Sequence, residues 1–81
     1  MDDVHRTERY RNLSGESGVV AYAVSREAIA IEFHGGAVYL YDYESTGRQA
    51  VEEMKRLAAT GRGLSTYISR FVGERYARKL R

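Results

Sequence analysis

The sequence predicts an α+β domain: a three-stranded antiparallel meander followed by two helices packed on one of its faces. Three observations carry this expectation. The stretch from Ile29 to Tyr43 alternates through Ile29, Ile31 and Phe33, stops at Gly35-Gly36 and resumes with Val38 to Tyr41, the pattern of a β-hairpin. Val19 to Val24 precedes it as a run rich in β-branched residues. Beyond Ser45 the apolar period changes from two to about 3.6 residues, as a helix requires.

Taken in order, residues 1 to 17 show no sustained period. Val4, Tyr10 and Leu13 are scattered among charges, and Ser14 to Gly18 reads as linker, so 1 to 17 is expected to be a flexible N-terminal tail and 18 to 81 a single domain. Arg6, Arg9 and Arg11 could reach a partner from such an arm, although a solvated tail is the favoured expectation. Val19 to Val24 forms the first strand, Ser25 to Glu27 turns the chain, and the hairpin supplies two more strands. From Thr46 to Ala59 the residues Ala50, Val51, Met54, Leu57 and Ala58 share one stripe. Ser45 or Thr46 can cap that helix, Thr46 with Gln49 forms a capping-box pattern, and Gly61 stops it. A second helix follows Gly61-Arg62-Gly63, with Leu64, Tyr67, Ile68, Phe71 and Val72 on its apolar face. Continuing that face brings Arg75 and Lys79, flanked by Arg70, Arg78 and Arg81, so its last turns are expected to form a cationic end.

Composition excludes several classes of function. Without cysteine there is no disulfide and no thiolate metal site, and His5 and His34 are too few for a histidine-based zinc site without carboxylate help. No metal or cofactor is expected. No apolar run approaches the roughly 20 residues of a membrane span, and Asp2-Asp3 do not open a secretory signal, so a cytoplasmic location is the default. No nucleophile, base and orienting group can be assembled from the sequence, and the chain does not read as an enzyme. The net charge of +2 hides an asymmetry. Residues 1 to 43 hold four basic against seven acidic side chains, and residues 44 to 81 hold nine against four. A cationic half of this kind suits a polyanion.

The register of the hairpin decides what its tyrosines can do. If Gly35-Gly36 is a two-residue turn, Phe33 lies opposite Val38, and Tyr39 and Tyr41 face away from Ile29 and Ile31, where flat rings can stack on bases. If His34-Gly35-Gly36 form the loop, Phe33 lies opposite Ala37, and both rings join the core. The sequence supports both arrangements.

The order FHGGAVYLY, then an amphipathic helix, then AATGRGLSTYISRFV, resembles the KTSC domain, a short module at the C-terminus of some lysyl-tRNA synthetases and a stand-alone bacterial protein. Tyr39 and Tyr41 match its Tyr-x-Tyr. Tyr22, Ile29, Ile31, Phe33 and Gly36 match the strands before it, and Ala58, Thr60, Gly61, Leu64, Ser65 and Ile68 match the later segment. The resemblance spans about residues 18 to 72. Where the family has Val-Pro after Tyr-x-Tyr, this chain has Asp42, Tyr43 and Glu44. The resemblance implies a β-β-β-α-α domain and a link to RNA.

The resulting expectation is a small non-enzymatic module that binds RNA, with Arg70, Arg75, Arg78, Lys79 and Arg81 on phosphates and Tyr39, Tyr41 or Tyr43 stacking. A protein-interaction or homodimerisation module using an exposed sheet edge or aromatic face is the alternative. A third reading places a small phosphorylated ligand at Arg62 and the following helix start.

Overall fold

The computed structural model describes residues 7 to 15 and 17 to 81. Its elements run β1 (Glu8–Arg9), β2 (Val19–Ser25), β3 (Ala28–Phe33), β4 (Val38–Asp42), α1 (Tyr43–Thr46), α2 (Arg48–Thr60), α3 (Leu64–Tyr67), a π-helical turn (Ile68–Val72) and β5 (Arg78–Lys79). The domain is α+β, and β2, β3 and β4 form the expected meander. The sheet nevertheless has five strands, antiparallel and in chain order, because a two-residue strand is added at each edge.

Register assigns the faces. Ile29 pairs with Tyr41, Ile31 with Tyr39 and Phe33 bonds to Ala37, so the loop is His34-Gly35-Gly36 and the second of the two registers is the one adopted. Gly35 and Gly36 have φ of 96° and 98°, left-handed conformations that suit glycine on backbone grounds alone, since a Cβ at either would meet nothing. Ile29, Ile31 and Tyr41 meet Val51, Met54 and Ala58 of α2 and Leu64, Ile68 and Val72 of the following segment in one buried cluster.

The entry to the helices differs from expectation. Asp42 accepts a hydrogen bond from the Ser45 amide at 2.9 Å and Ser45 Oγ accepts one from the Asp42 amide at 3.4 Å, a capping box on α1. The Ser45 amide, and after it the Ser45 hydroxyl donating to Asp42 Oδ1 at 2.8 Å, hold the Asp42 carboxyl below its ordinary value. Thr46 caps nothing: its hydroxyl donates to the Arg75 carbonyl at 2.8 Å, and α2 starts from Gly47.

The second helix is shorter than its period implied. It ends at Val72 with the Gly73 amide bonded to the Ile68 carbonyl at 2.7 Å, and Gly73 takes φ 59° and ψ −125°. The chain then reverses. The Ala77 and Leu80 amides donate to the carbonyls of Leu40 and Val38, and β5 closes the sheet edge. The expected cationic helix end is therefore an edge strand, because a glycine in a non-helical conformation stops the helix just where its apolar face runs out.

Residues 8 to 13, expected to belong to a tail, are part of the packed unit. Tyr10 is 4% exposed within the core, and its hydroxyl accepts from the Leu64 amide at 3.3 Å. Arg11 donates to the carbonyls of Ala59 and Thr60, the orphan acceptors at the end of α2, and the Leu13 amide donates to the Gly61 carbonyl at 2.7 Å. Of the rest of the expected tail, residues 1 to 6 with Arg6, and Glu16, lie outside the described residues. Gly61 is the seat of this strap: it stops α2 at φ 85°, and a Cβ there would stand 2.9 Å from Arg11 Cβ. Gly61→Ala is expected to cost about 1–3 kcal/mol through left-handed strain, with the strap displaced in addition. Urea unfolding measures the cost, and amide exchange at Leu13 reports the displacement.

Candidate nucleic-acid interface

The residues expected to bind RNA are dispersed by the fold. Tyr41 is 2% exposed, with the Tyr76 ring edge-on at 6.2 Å, so it has no face for a base. Burial first, and then the neighbouring Tyr39 and Tyr76 hydroxyls, pushes its own hydroxyl up to about 12. The unfolded chain releases that proton near its ordinary value of 10, so this contribution to stability is complete below pH 10 and is lost between pH 10 and about 12. Tyr41→Phe should lose less stability than the parent across that window, as read by urea midpoints at pH 9 and 11.

Tyr39 is half-buried between Phe33 at 5.9 Å and Tyr76 at 4.5 Å. Tyr43 donates to Glu52 at 2.5 Å, and Arg48 and Lys55 each lie 5.8 Å from its ring centroid. That hydrogen bond raises the Tyr43 hydroxyl and lowers the Glu52 carboxyl. All three tyrosines therefore already have protein partners.

The cations divide similarly. Arg70 is exposed on the π-helical turn and Arg62 in the α2–α3 turn. The Arg62 site loses its expected cradle: α3 has four residues, and its first amide already donates to Tyr10. Arg75 donates to the carbonyls of Phe71 at 2.6 Å and Val72 at 3.4 Å, so it closes the end of its own helical segment. Strand alternation separates the last residues. Lys79 pairs with Tyr39 on the helix-covered side, whereas Arg78 pairs with Leu40 on the opposite face.

That opposite face carries a trough whose floor is nearly buried, with Ala21, Ala23 and Ala30 only 6–8% exposed, so its rim side chains are what meets solvent. Its floor comes from Ala21 and Ala23 of β2, Ala30 of β3, and Val38 and Leu40 of β4, which register places on one side. The alanines hold the floor low, and Leu80 stands beside it with 46% exposure. Cations rim both long edges. Arg9 pairs with Ala21 at the β1 edge, Arg78 lies at the β5 edge, and Arg81 reaches the face to lie 3.6 Å from Glu32 while also donating to the Gly36 carbonyl at 3.3 Å. Glu32 is the acid in the trough; Asp42, at the far end of β4, turns its carboxylate toward Ser45. Sequence reasoning named Arg78 and Arg81 on a helix and gave Arg9 only as part of a mobile arm. The missed signal was alternation in the last four residues, where Arg78 and Leu80 take one face and Lys79 the other.

Among the described residues no three His, Asp or Glu side chains gather as a metal site requires, and no helix is long and apolar enough to cross a membrane. No family model, curated protein or solved structure matches the chain.

Proposed function

We propose that this chain is a KTSC-like binding module, not an enzyme, that holds single-stranded RNA by its phosphate backbone along the cationic rim of the sheet face opposite the helices. The observation that carries the reading is the placement of Arg9, Arg78 and Arg81 around a floor of alanines on one face. Arg9 and Arg78 stand on opposite edges of a five-stranded sheet, about 19 Å apart at roughly 4.8 Å per strand, so they can hold a single strand at separated phosphates while its intervening backbone crosses the trough. Register turns the rings of Tyr22, Tyr39 and Tyr41 to the helix-covered side, so recognition on this face is of charge and shape, and base sequence should matter little. For a single strand the logarithm of affinity falls against the logarithm of salt with a slope of about −0.7 per phosphate, so three contacts give about −2. Anisotropy titrations of a labelled 12-nucleotide RNA over a range of salt concentrations measure that slope. Absence of binding at low salt removes the proposal.

The homodimer reading has less support. Both edge strands have two residues and all four are exposed and charged, the usual device against edge-to-edge pairing. A face-to-face dimer would set Arg9, Arg78 and Arg81 of one copy against the same three in the other.

A further inference from the structure

A second concavity lies on the other side of the molecule, between the start of α2 and the segment from α3 through the π-helical turn. It has a volume of about 650 Å³ and is lined by Gly47, Arg48, Ala50, Tyr67, Phe71 and Arg75 among others. This is within the range of roughly 300–1,000 Å³ typical of small-molecule sites. Its contents are not those of a solvated helix junction. Phe71 is 60% exposed, the most exposed of the large apolar side chains described, although it sits between the buried residues Ile68 and Val72. Tyr67 backs one side of its ring, with centroids 5.1 Å apart and planes inclined by 37°. The rest of the ring is available to a flat ligand.

Two cations share the concavity, Arg48 and Arg75, and neither forms an ion pair among the described residues. The carboxylate that lines the groove, Glu53, is already held by Arg56 at 2.5 Å and does not neutralise them. Arg75 is fixed in direction by its bonds to the Phe71 and Val72 carbonyls, which couple its position to the ring. A planar apolar surface next to two guanidinium groups calls for a ligand with a flat ring at one end and a dianion at the other.

We propose that this groove binds a nucleoside monophosphate, with the base on Phe71 and the phosphate between Arg48 and Arg75. The site is separate from the sheet face opposite the helices, and a ligand with one phosphate does not depend on binding there. Phe71 contributes little to the core, so Phe71→Ser should fold, and Arg48→Gln changes an exposed side chain that also lies over the Tyr43 ring, 5.8 Å from its centroid; Arg75 is left intact because it also holds its own helix end.

Isothermal titration calorimetry of the full chain with adenosine monophosphate, adenosine and inorganic phosphate tests the proposal. Adenosine monophosphate should bind at least about tenfold more tightly than either fragment, since stacking of a base and a charge-assisted contact to phosphate are each worth about that factor. Phe71→Ser and Arg48→Gln should each weaken it by about tenfold, and Arg62→Gln, outside the groove, should leave it unchanged. Equal affinity for inorganic phosphate and the nucleotide, or full affinity in Phe71→Ser, overturns the proposal.

Discussion

Tyr10→Ala is expected to destabilise the domain by about 3–5 kcal/mol, the range for truncating a buried aromatic side chain. For 81 residues the total stability is roughly 4–12 kcal/mol, so the variant sits near the folding threshold. The size of the effect follows from position. Tyr10 is 4% exposed, lies in the cluster with Val19 and Leu64, and anchors the segment whose Arg11 and Leu13 close the end of α2. With a urea dependence near 1 kcal/mol per molar, the midpoint should fall by about 3 M or more. Tyr10→Phe keeps the packing and removes the acceptor of the Leu64 amide, so it should cost only about 1 kcal/mol. If Tyr10→Ala unfolds at the parent's urea midpoint, residues 8 to 13 contribute nothing to the fold.

Replacing Arg9, Arg78 and Arg81 together with glutamine should flatten the salt dependence of RNA binding from a slope of about −2 to near zero and remove measurable affinity at moderate salt. Stability should change little, because Arg9 and Arg78 form no ion pair among the described residues. Arg81 pairs with Glu32 only at 3.6 Å and with its side chain 68% exposed, a contact that solvent screens. A matching replacement of Arg62 and Arg70, which lie away from the sheet face, should lower affinity far less. Equal loss per charge removed from the two sets would mean that net charge rather than placement governs binding.

The legible parts of the fold were those long enough to show a period. Strands β2 to β4 could be read from alternation, and α2 from its stripe of Val51, Met54 and Ala58 and from its stop at Gly61. Strands β1 and β5 have two residues each, too few for any period, and they are defined by partners distant in sequence. Tyr10 was a single large residue among charges, with nothing local to mark it as core. The register was ambiguous for a physical reason: Leu40 is aliphatic, which argues for pointing it inward, yet the opposite face is built of alanines and tolerates it. Gly73 was visible in the sequence, but the apolar face running through Phe71 and Val72 suggested continuation past it. For the site, the cationic character of the C-terminal half was legible, but its distribution was not. Which arginines share a surface depends on a chain reversal that no local pattern records.

The most direct measurement is amide chemical-shift mapping of the full chain with a 12-nucleotide single-stranded RNA at low salt. Perturbations should gather on the sheet face opposite the helices, at Arg9, Ala21, Ala30, Leu40, Arg78 and Arg81, with α2 unaffected. Perturbations centred on Tyr39 and Lys79, on the helix-covered side, or none at all at saturating RNA, would contradict it.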